Sequence, residues 1–234
     1  MATTYAVLAP GERNSVVSVR FKLDEIDEEA KRLPRQTDVY VSGEDGYHTY
    51  RIPSVIVTAK GTLLAFCEGR KTGGGDSGDI DLLVKRSTDG GKTFSKQQIV
   101  WDDEGNTCGN PCPVVDRTTS TIWLLLTHNL GTDHERQIVA RKSQGTRTVW
   151  VAKSTDDGLN WSKPVEITDT AKRPDWTWYA TGPGCGIQLK EGRLVVPCDH
   201  IAADGGWASH VIFSDDHGAA WKLGGSAPPK TNEC

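Results

Sequence analysis

Short apolar runs recur along the chain, and polar turn residues separate them. Three stretches, "IPSVIVTAKGTLLAFCEG" (52–69), "CPVVDRTTSTIWLLLTHN" (112–129) and "GCGIQLKEGRLVVPCDH" (184–200), each place two such runs around a polar turn. This is the pattern of a strand, a tight turn and a second strand. Each stretch is followed by two further runs: "IDLLVKRS" and "QQIVW", "TVWVAKS" and "PVEIT", "SHVIFS" and "WKLGG". The pattern therefore predicts three units of four short antiparallel strands.

The segment between the third and fourth run of each unit is a repeat. "STDGGKTF" begins at Ser87, "STDDGLNW" at Ser154 and "SDDHGAAW" at Ser214, at intervals of 67 and 60 residues. All three fit Ser-x-Asp-x-Gly-x-x-(Phe/Trp). An Asp that accepts backbone N–H bonds two residues on, a Gly free to take positive φ and a closing aromatic make a hairpin turn. These acids are expected to stabilise the fold and to take no part in chemistry. Repeated four-stranded units are blades of a β-propeller. Blades are expected near 50–101, 111–168 and 184–224, in an all-β chain. A ring needs roughly four to eight blades to close, so about three leave it incomplete.

Composition agrees: 25 Gly and 8 Trp among 234 residues, with 36% hydrophobic and 25% charged, fit a turn-rich β protein. The net charge of −4 speaks against nucleic acid as a partner, and no run is long and apolar enough to predict a membrane span. Residues 1–39 lack a basic segment followed by an apolar core, so no secretory signal is expected there. They read as a linker or the remnant of a preceding module, with "LDEIDEEAKRL" (23–33) as a short helix or, preferably, linker, ahead of a propeller domain over 40–234. Six cysteines are scattered. Cys67 and Cys198 sit in apolar strands as buried thiols, and the Cys108/Cys112 pair, with Pro111 and Pro113 around Cys112, has no partner pair at zinc spacing. No metal site is expected, and compartment stays open.

The candidate chemistry lies in "EGRKTGGGDSGDID" (68–81). A phosphate cradle would need a Lys after the glycines and a helix to follow; neither is present. A calcium loop would need a distal Glu, and Asp79 and Asp81 read instead as the polar face of a strand. Asp76 remains as a loop carboxylate near Arg70, either an ion pair or a reactive group. Arg51, in "YRIPS", opens a blade, where a guanidinium suits a planar carboxylate or lies on the surface. "PDWTWYATGPG" sets Trp176, Trp178 and Tyr179 in a loop, to line a sugar site or to pack.

"YRIPS", the Arg70–Asp76 spacing, the three Asp boxes, "GNPCPVVD" (109–116), "ATGPGCGIQL" (180–189) and "TNEC" (231–234) together resemble the exo-α-sialidases (neuraminidases) of the Asp-box, six-bladed propeller type. The resemblance runs from about Tyr40 onward. It implies hydrolysis of terminal α-linked sialic acid with retention, through a tyrosine nucleophile. It makes Arg51 the first of three arginines that grip the sialic acid carboxylate. Asp76 is the acid/base, and Glu233 is the glutamate that activates the tyrosine. Arg70 lies near the N-acyl group, Asn110 and Glu135 near the pocket, and Asp199 with His200 at the glycerol tail. Sialylated glycans are the implied partners, with no cofactor. The second and third arginines and the tyrosine have no counterpart. The expectation is the N-terminal half of a glycoside hydrolase, inactive alone. A non-catalytic sialoside-binding propeller is the alternative. Arg51, Asp76 and Glu233 together weigh against a purely structural one.

Overall fold

A computed structural model describes residues 4–8, 16–21 and 36–233. The stretch 23–33, read above as linker or helix, lies outside the described residues. Strands β1 (Thr4–Leu8), β2 (Val16–Phe21) and β3 (Asp38–Val41) form a three-stranded antiparallel sheet.

Three blades follow. The first is β4 (Thr49–Val57), β5 (Leu63–Arg70), β6 (Ile80–Ser87) and β7 (Gln98–Trp101). The second is β8 (Thr107–Asp116), β9 (Thr121–Asn129), β10 (Thr148–Ser154) and β11 (Val165–Glu166). The third has β12 (Trp176–Thr181) and β13 (Ile187–Gln188), both paired to β14 (Leu194–Ala202), then β15 (Trp207–Ser214) and β16 (Lys222–Ser226). Within each blade the pairing is antiparallel; between the first two a single parallel pair, Ile80↔Thr107, joins neighbouring strands. Two short helices, α1 (Glu135–Val139) and α2 (Thr168–Ala171), sit in connections of the second and third blades. The chain is all-β in its architecture, a run of propeller blades.

The third blade starts earlier than the expected 184. "WTWYAT" is its innermost strand, not a loop, and pairs Tyr179 with His200 and Ala180 with Asp199. The aromatics hid this because Trp and Tyr suit loops and strands alike.

Blade packing explains the apolar runs. In β9, Ile122, Leu124 and Leu126 face the first blade's Leu64 and Phe66, whereas Trp123 and Leu125 face the third blade's Val196 and Trp221. A strand covered on both faces needs no polar alternation, so "IWLLL" reads as an unbroken run. Each fully buried Leu or Ile contributes roughly 1.5–3 kcal/mol.

The Asp boxes lock one blade to the previous one. In each, the Ser hydroxyl donates to the Asp Oδ1 at 2.8 Å (Ser87–Asp89, Ser154–Asp156, Ser214–Asp216). The Asp Oδ1 accepts a backbone N–H four residues on, from Thr93, Asn160 and Ala220, rather than two. The glycine N–H goes to the Ser Oγ instead, from Gly91, Gly158 and Gly218. The closing Trp161 sets its edge on Phe66 of the preceding blade at 5.6 Å, and Trp221 meets Trp123 at 6.3 Å. The residue before the glycine reaches back as well. Asp157 accepts from Thr58, Thr62 and Arg86, and His217 Nδ1 lies 2.8 Å from Asp116 Oδ2.

Candidate active site

Arg51 and Glu68 are cross-strand partners in β4 and β5, and Arg70 ends β5 opposite Thr49. Glycine is required between Glu68 and Arg70: a Cβ on Gly69 would lie 2.5 Å from Leu83 Cδ1 and 2.7 Å from the Tyr47 ring. The loop after Arg70 folds back over its guanidinium. Arg70 Nη1 donates to the carbonyls of Gly74 at 2.7 Å and Gly75 at 2.8 Å, and stands 2.8 Å from Asp76 Oδ1. Its Nε and Nη2 both bond Glu68 Oε2, at 3.0 and 2.5 Å, in a pair shut off from water. Arg51 Nη1 reaches the same Asp76 oxygen at 2.7 Å. Thus the glycines supply carbonyls to an arginine, and one carboxylate oxygen is anchored between two cations. Asp76 itself is 59% exposed.

Asp81 corrects an expectation. It is fully buried, not on a polar face, because β6 is covered on both sides. Its Oδ2 accepts from the Tyr47 hydroxyl at 2.5 Å and stands 3.1 Å from Lys71 Nζ. Burial raises its pKa above the usual carboxylate value, against the pull of Tyr47 and Lys71. Asp79 stands before β6 and also meets Lys71, at 3.0 Å. Lysine thus fills the place a bound cation would take in an acidic loop.

Asn110 sits on β8 where the register with β9 shifts between Gly109 and Cys112, with φ at 53°. This bulge re-aims the side chain. The Asn110 N–H donates to Glu68 Oε1 at 2.8 Å, its carbonyl accepts from Thr181 at 2.5 Å, and its Oδ1 accepts from Thr127 at 3.0 Å and from Arg147 Nη2. No motif in the sequence points to Arg147. It is 2% exposed, donates through Nη1 to Asn129 Oδ1 at 2.6 Å, and stacks 4.1 Å over the Trp178 ring. Burial lowers its pKa to about 10, against the attraction of Glu68 and Asp199. Buried Lys172 donates to the Arg147 carbonyl at 2.6 Å, and burial, then Arg147, lowers its pKa to about 8.

On the third blade two cross-strand rows reach the same place. Trp178, Ile201 and Trp207 form one; Ala180, Asp199 and Ser209 the next. Asp199 is buried, its Oδ2 has no hydrogen-bond partner among the described residues, and burial raises its pKa to about 7, with Glu233 adding to the rise and Arg147 opposing it. His200, the neighbouring residue, does not join it: it stacks 3.4 Å from Trp176, 3.0 Å from His210 Nδ1. Trp176 and Tyr179 are buried with it; only Trp178 of the three aromatics lines the cleft.

That cleft has a volume of about 200 Å³ and is lined by Arg51, Arg70, Asp76, Asn110, Glu135, Asp199 and Glu233, seven of the candidate residues the sequence offers, but not by His200. Glu68, Arg147, Trp178 and Trp207 are among its other lining residues. Two larger hollows, of about 910 and 420 Å³, carry none of the seven. The cleft offers what sugar-acid chemistry needs: guanidiniums, an exposed carboxylate and further carboxyls in one enclosure.

The BNR repeat-like domain family matches residues 61–234. The chain is similar to a sialidase of Bacteroides fragilis, 32% identical over 224 residues that make up 90% of this chain and 41% of that protein. It is also similar to an exo-alpha-sialidase of Aspergillus fumigatus, 39% identical over 170 residues, covering 65% of this chain and 41% of the relative. Among solved structures, the Hadza microbial sialidase Hz136 superposes with a TM-score of 0.76 at 28% identity, over 93% of this chain and 47% of that one. The chain thus spans less than half the length of these relatives. Three Asp boxes, three propeller blades and these matches make the chain a member of the BNR repeat-like, Asp-box family of exo-α-sialidases.

Proposed function

We propose that this chain carries part of the active site of an exo-α-sialidase that releases terminal α-linked sialic acid from sialylated glycans, and that residues 40–234 are its propeller domain, preceded by a separate segment over 1–39. The observation that carries this reading is the meeting of Arg51, Asp76 and Glu233, from opposite ends of the chain, in one cleft. Arg51 has the role of binding the substrate carboxylate. Its Nη1 is spent on Asp76, while Nε and Nη2 have no acceptor among the described residues and are free for a bidentate contact. Asp76 is the general acid, then the general base: Oδ1 is anchored, and Oδ2 has no partner among the described residues. Glu233 is the base for a tyrosine nucleophile, a departure from the two-carboxylate scheme of most glycosidases; no described tyrosine lines the cleft. Arg70 holds the Asp76 loop and, with Asn110, Glu135 and Asp199, shapes the walls for the sugar's substituents.

The test is release of a fluorogenic sialoside by the native gene product, alongside its binding of free sialic acid. Turnover supports the reading. Binding without turnover would favour a sialoside-binding propeller, and the absence of both would refute the assignment.

A further inference from the structure

Arg147 is a donor-only side chain, with five N–H groups and no acceptor. It lies 2% exposed beneath the cleft and touches two asparagine oxygens: Asn129 Oδ1 at 2.6 Å and Asn110 Oδ1. The first of these is independently fixed, since Asn129 Nδ2 donates to the carbonyls of Leu130 at 2.9 Å and Asp133 at 3.1 Å. The second is fixed by Arg147 itself. An amide that turned its NH2 toward a guanidinium would set donors against donors. The Thr127 hydroxyl donates to the same Asn110 oxygen at 3.0 Å, in keeping with this orientation; only the donor-only arginine dictates it. With Oδ1 held down, the Asn110 NH2 is left on the other side, and it has no acceptor among the described residues. The arginine cannot swing away. The Trp178 ring covers it at 4.1 Å, and Asn129 Oδ1 holds its Nη1 at 2.6 Å.

We propose that Arg147 is a positioning residue that locks the Asn110 amide with its oxygen inward and its NH2 toward the cleft, so that the site presents a hydrogen-bond donor to an acceptor oxygen on a substituent of the bound sugar. The choice of ligand rests on the sialoside reading; the amide orientation does not. The inference separates two residues that differ in chemistry: Asn110 touches ligand, and Arg147 acts through it.

The experiment compares wild type with Arg147→Lys, Arg147→Gln and Asn110→Asp. In the ligand-free protein, nuclear magnetic resonance of the Asn110 side-chain 15NH2 group reads its exchange with solvent. Wild type and Arg147→Lys, both donor-only, keep a rapidly exchanging NH2. In Arg147→Gln the new carbonyl can accept, so the NH2 turns inward and becomes protected or doubled. The probe for binding is 2-deoxy-2,3-didehydro-N-acetylneuraminic acid. Loss of one hydrogen bond weakens it about tenfold in Arg147→Gln and in Asn110→Asp. Combining the two adds little, and Arg147→Lys stays within about threefold. A protected Asn110 NH2 in wild type overturns the proposal, and so does full additivity of Arg147→Gln with Asn110→Asp. If Arg147→Gln does not fold, wild-type exchange and Arg147→Lys decide. A wild type that fails to bind the probe refutes the sialoside reading, and the ligand-free exchange then judges Arg147 alone.

Discussion

Arg51 Nη1 stands 2.7 Å from Asp76 Oδ1, and Arg70 Nη1 approaches the same oxygen at 2.8 Å. The carboxylate is gripped by one edge and offers the other. A group so held can hand over a proton from Oδ2 without losing its orientation. If Asp76 is the acid/base of the proposed hydrolysis, Asp76→Ala lowers turnover of a natural sialyl oligosaccharide by about 10²–10⁴-fold, the usual worth of such a group. The loss is smaller on an aryl sialoside, whose phenol leaves with little protonation. Steady-state rates on the two substrates check this. Equal losses on both, or turnover within threefold of wild type, would remove Asp76 from the proton transfer.

Glu68 supports that geometry from below. It binds Arg70 through Oε2 and the Asn110 N–H through Oε1, and its side chain and that of Arg70 are each 3% exposed. Glu68→Ala leaves a buried guanidinium and an orphaned backbone donor. The expected cost is about 3–5 kcal/mol of unfolding free energy. Urea denaturation reads it as a lower midpoint with unchanged slope. A loss under about 1 kcal/mol would mean that water or a neighbour replaces Glu68.

The Asp boxes give a second stability test, away from the cleft. Gly218 has φ of +88°, and a Cβ there would lie 2.1 Å from Trp123 Cε2 on the preceding blade. Gly158, at φ +77°, would strike Leu64 at 2.8 Å. The left-handed conformation alone costs a non-glycine residue about 1–2 kcal/mol, and overpacking adds about 1–3. Gly218→Ala is therefore expected to destabilise by about 2–5 kcal/mol, and more than Gly158→Ala, since a leucine tip yields more readily than an indole. Thermal or urea unfolding of the two variants gives the order directly.

What the sequence disclosed and what it hid follow from range. The box motif was legible because Ser, Asp and Gly satisfy one another within a few residues, so the turn is written locally. Its inter-blade role was not, since Trp161 meets Phe66 and Asp157 meets Thr58 across a blade boundary. Asp76 and Arg51 stood out by resemblance and by their place beside glycines and a strand start. Arg147 gave no such sign: "TRTVW" reads as the edge of a strand, and only its burial between Asn110, Asn129 and Trp178 reveals its weight. Asp81 misled for the same reason. Alternation marked it as solvent-facing, but a strand packed on both faces has no solvent side, and Tyr47 and Lys71 come from outside that strand.

Asp199 gives a pH signature. Burial, with Glu233 and Glu135 of like charge, raises its pKa to about 7 in the folded chain, although Arg147 pulls the other way; the ordinary value is 3.8. Between about pH 4 and 7 the folded state holds a proton that the unfolded state has released, so this group's contribution to stability falls as pH rises through that window and is level above it. At about 1.4 kcal/mol per unit, the loss is roughly 4 kcal/mol. His200 and His210 act in the opposite sense. Burial lowers them from 6.5 to about 4 and about 3, so below pH 6.5 the unfolded chain takes up protons that the fold refuses, and their contribution is lost on acidification. Because the two effects overlap, the wild-type curve alone does not separate them. Asp199→Asn does: its stability relative to wild type should climb by a few kcal/mol from pH 4 to 7 and then stay constant, as read by urea midpoints at each pH. A difference independent of pH would mean that Asp199 is ionised in the folded cleft throughout, with Arg147 outweighing its burial.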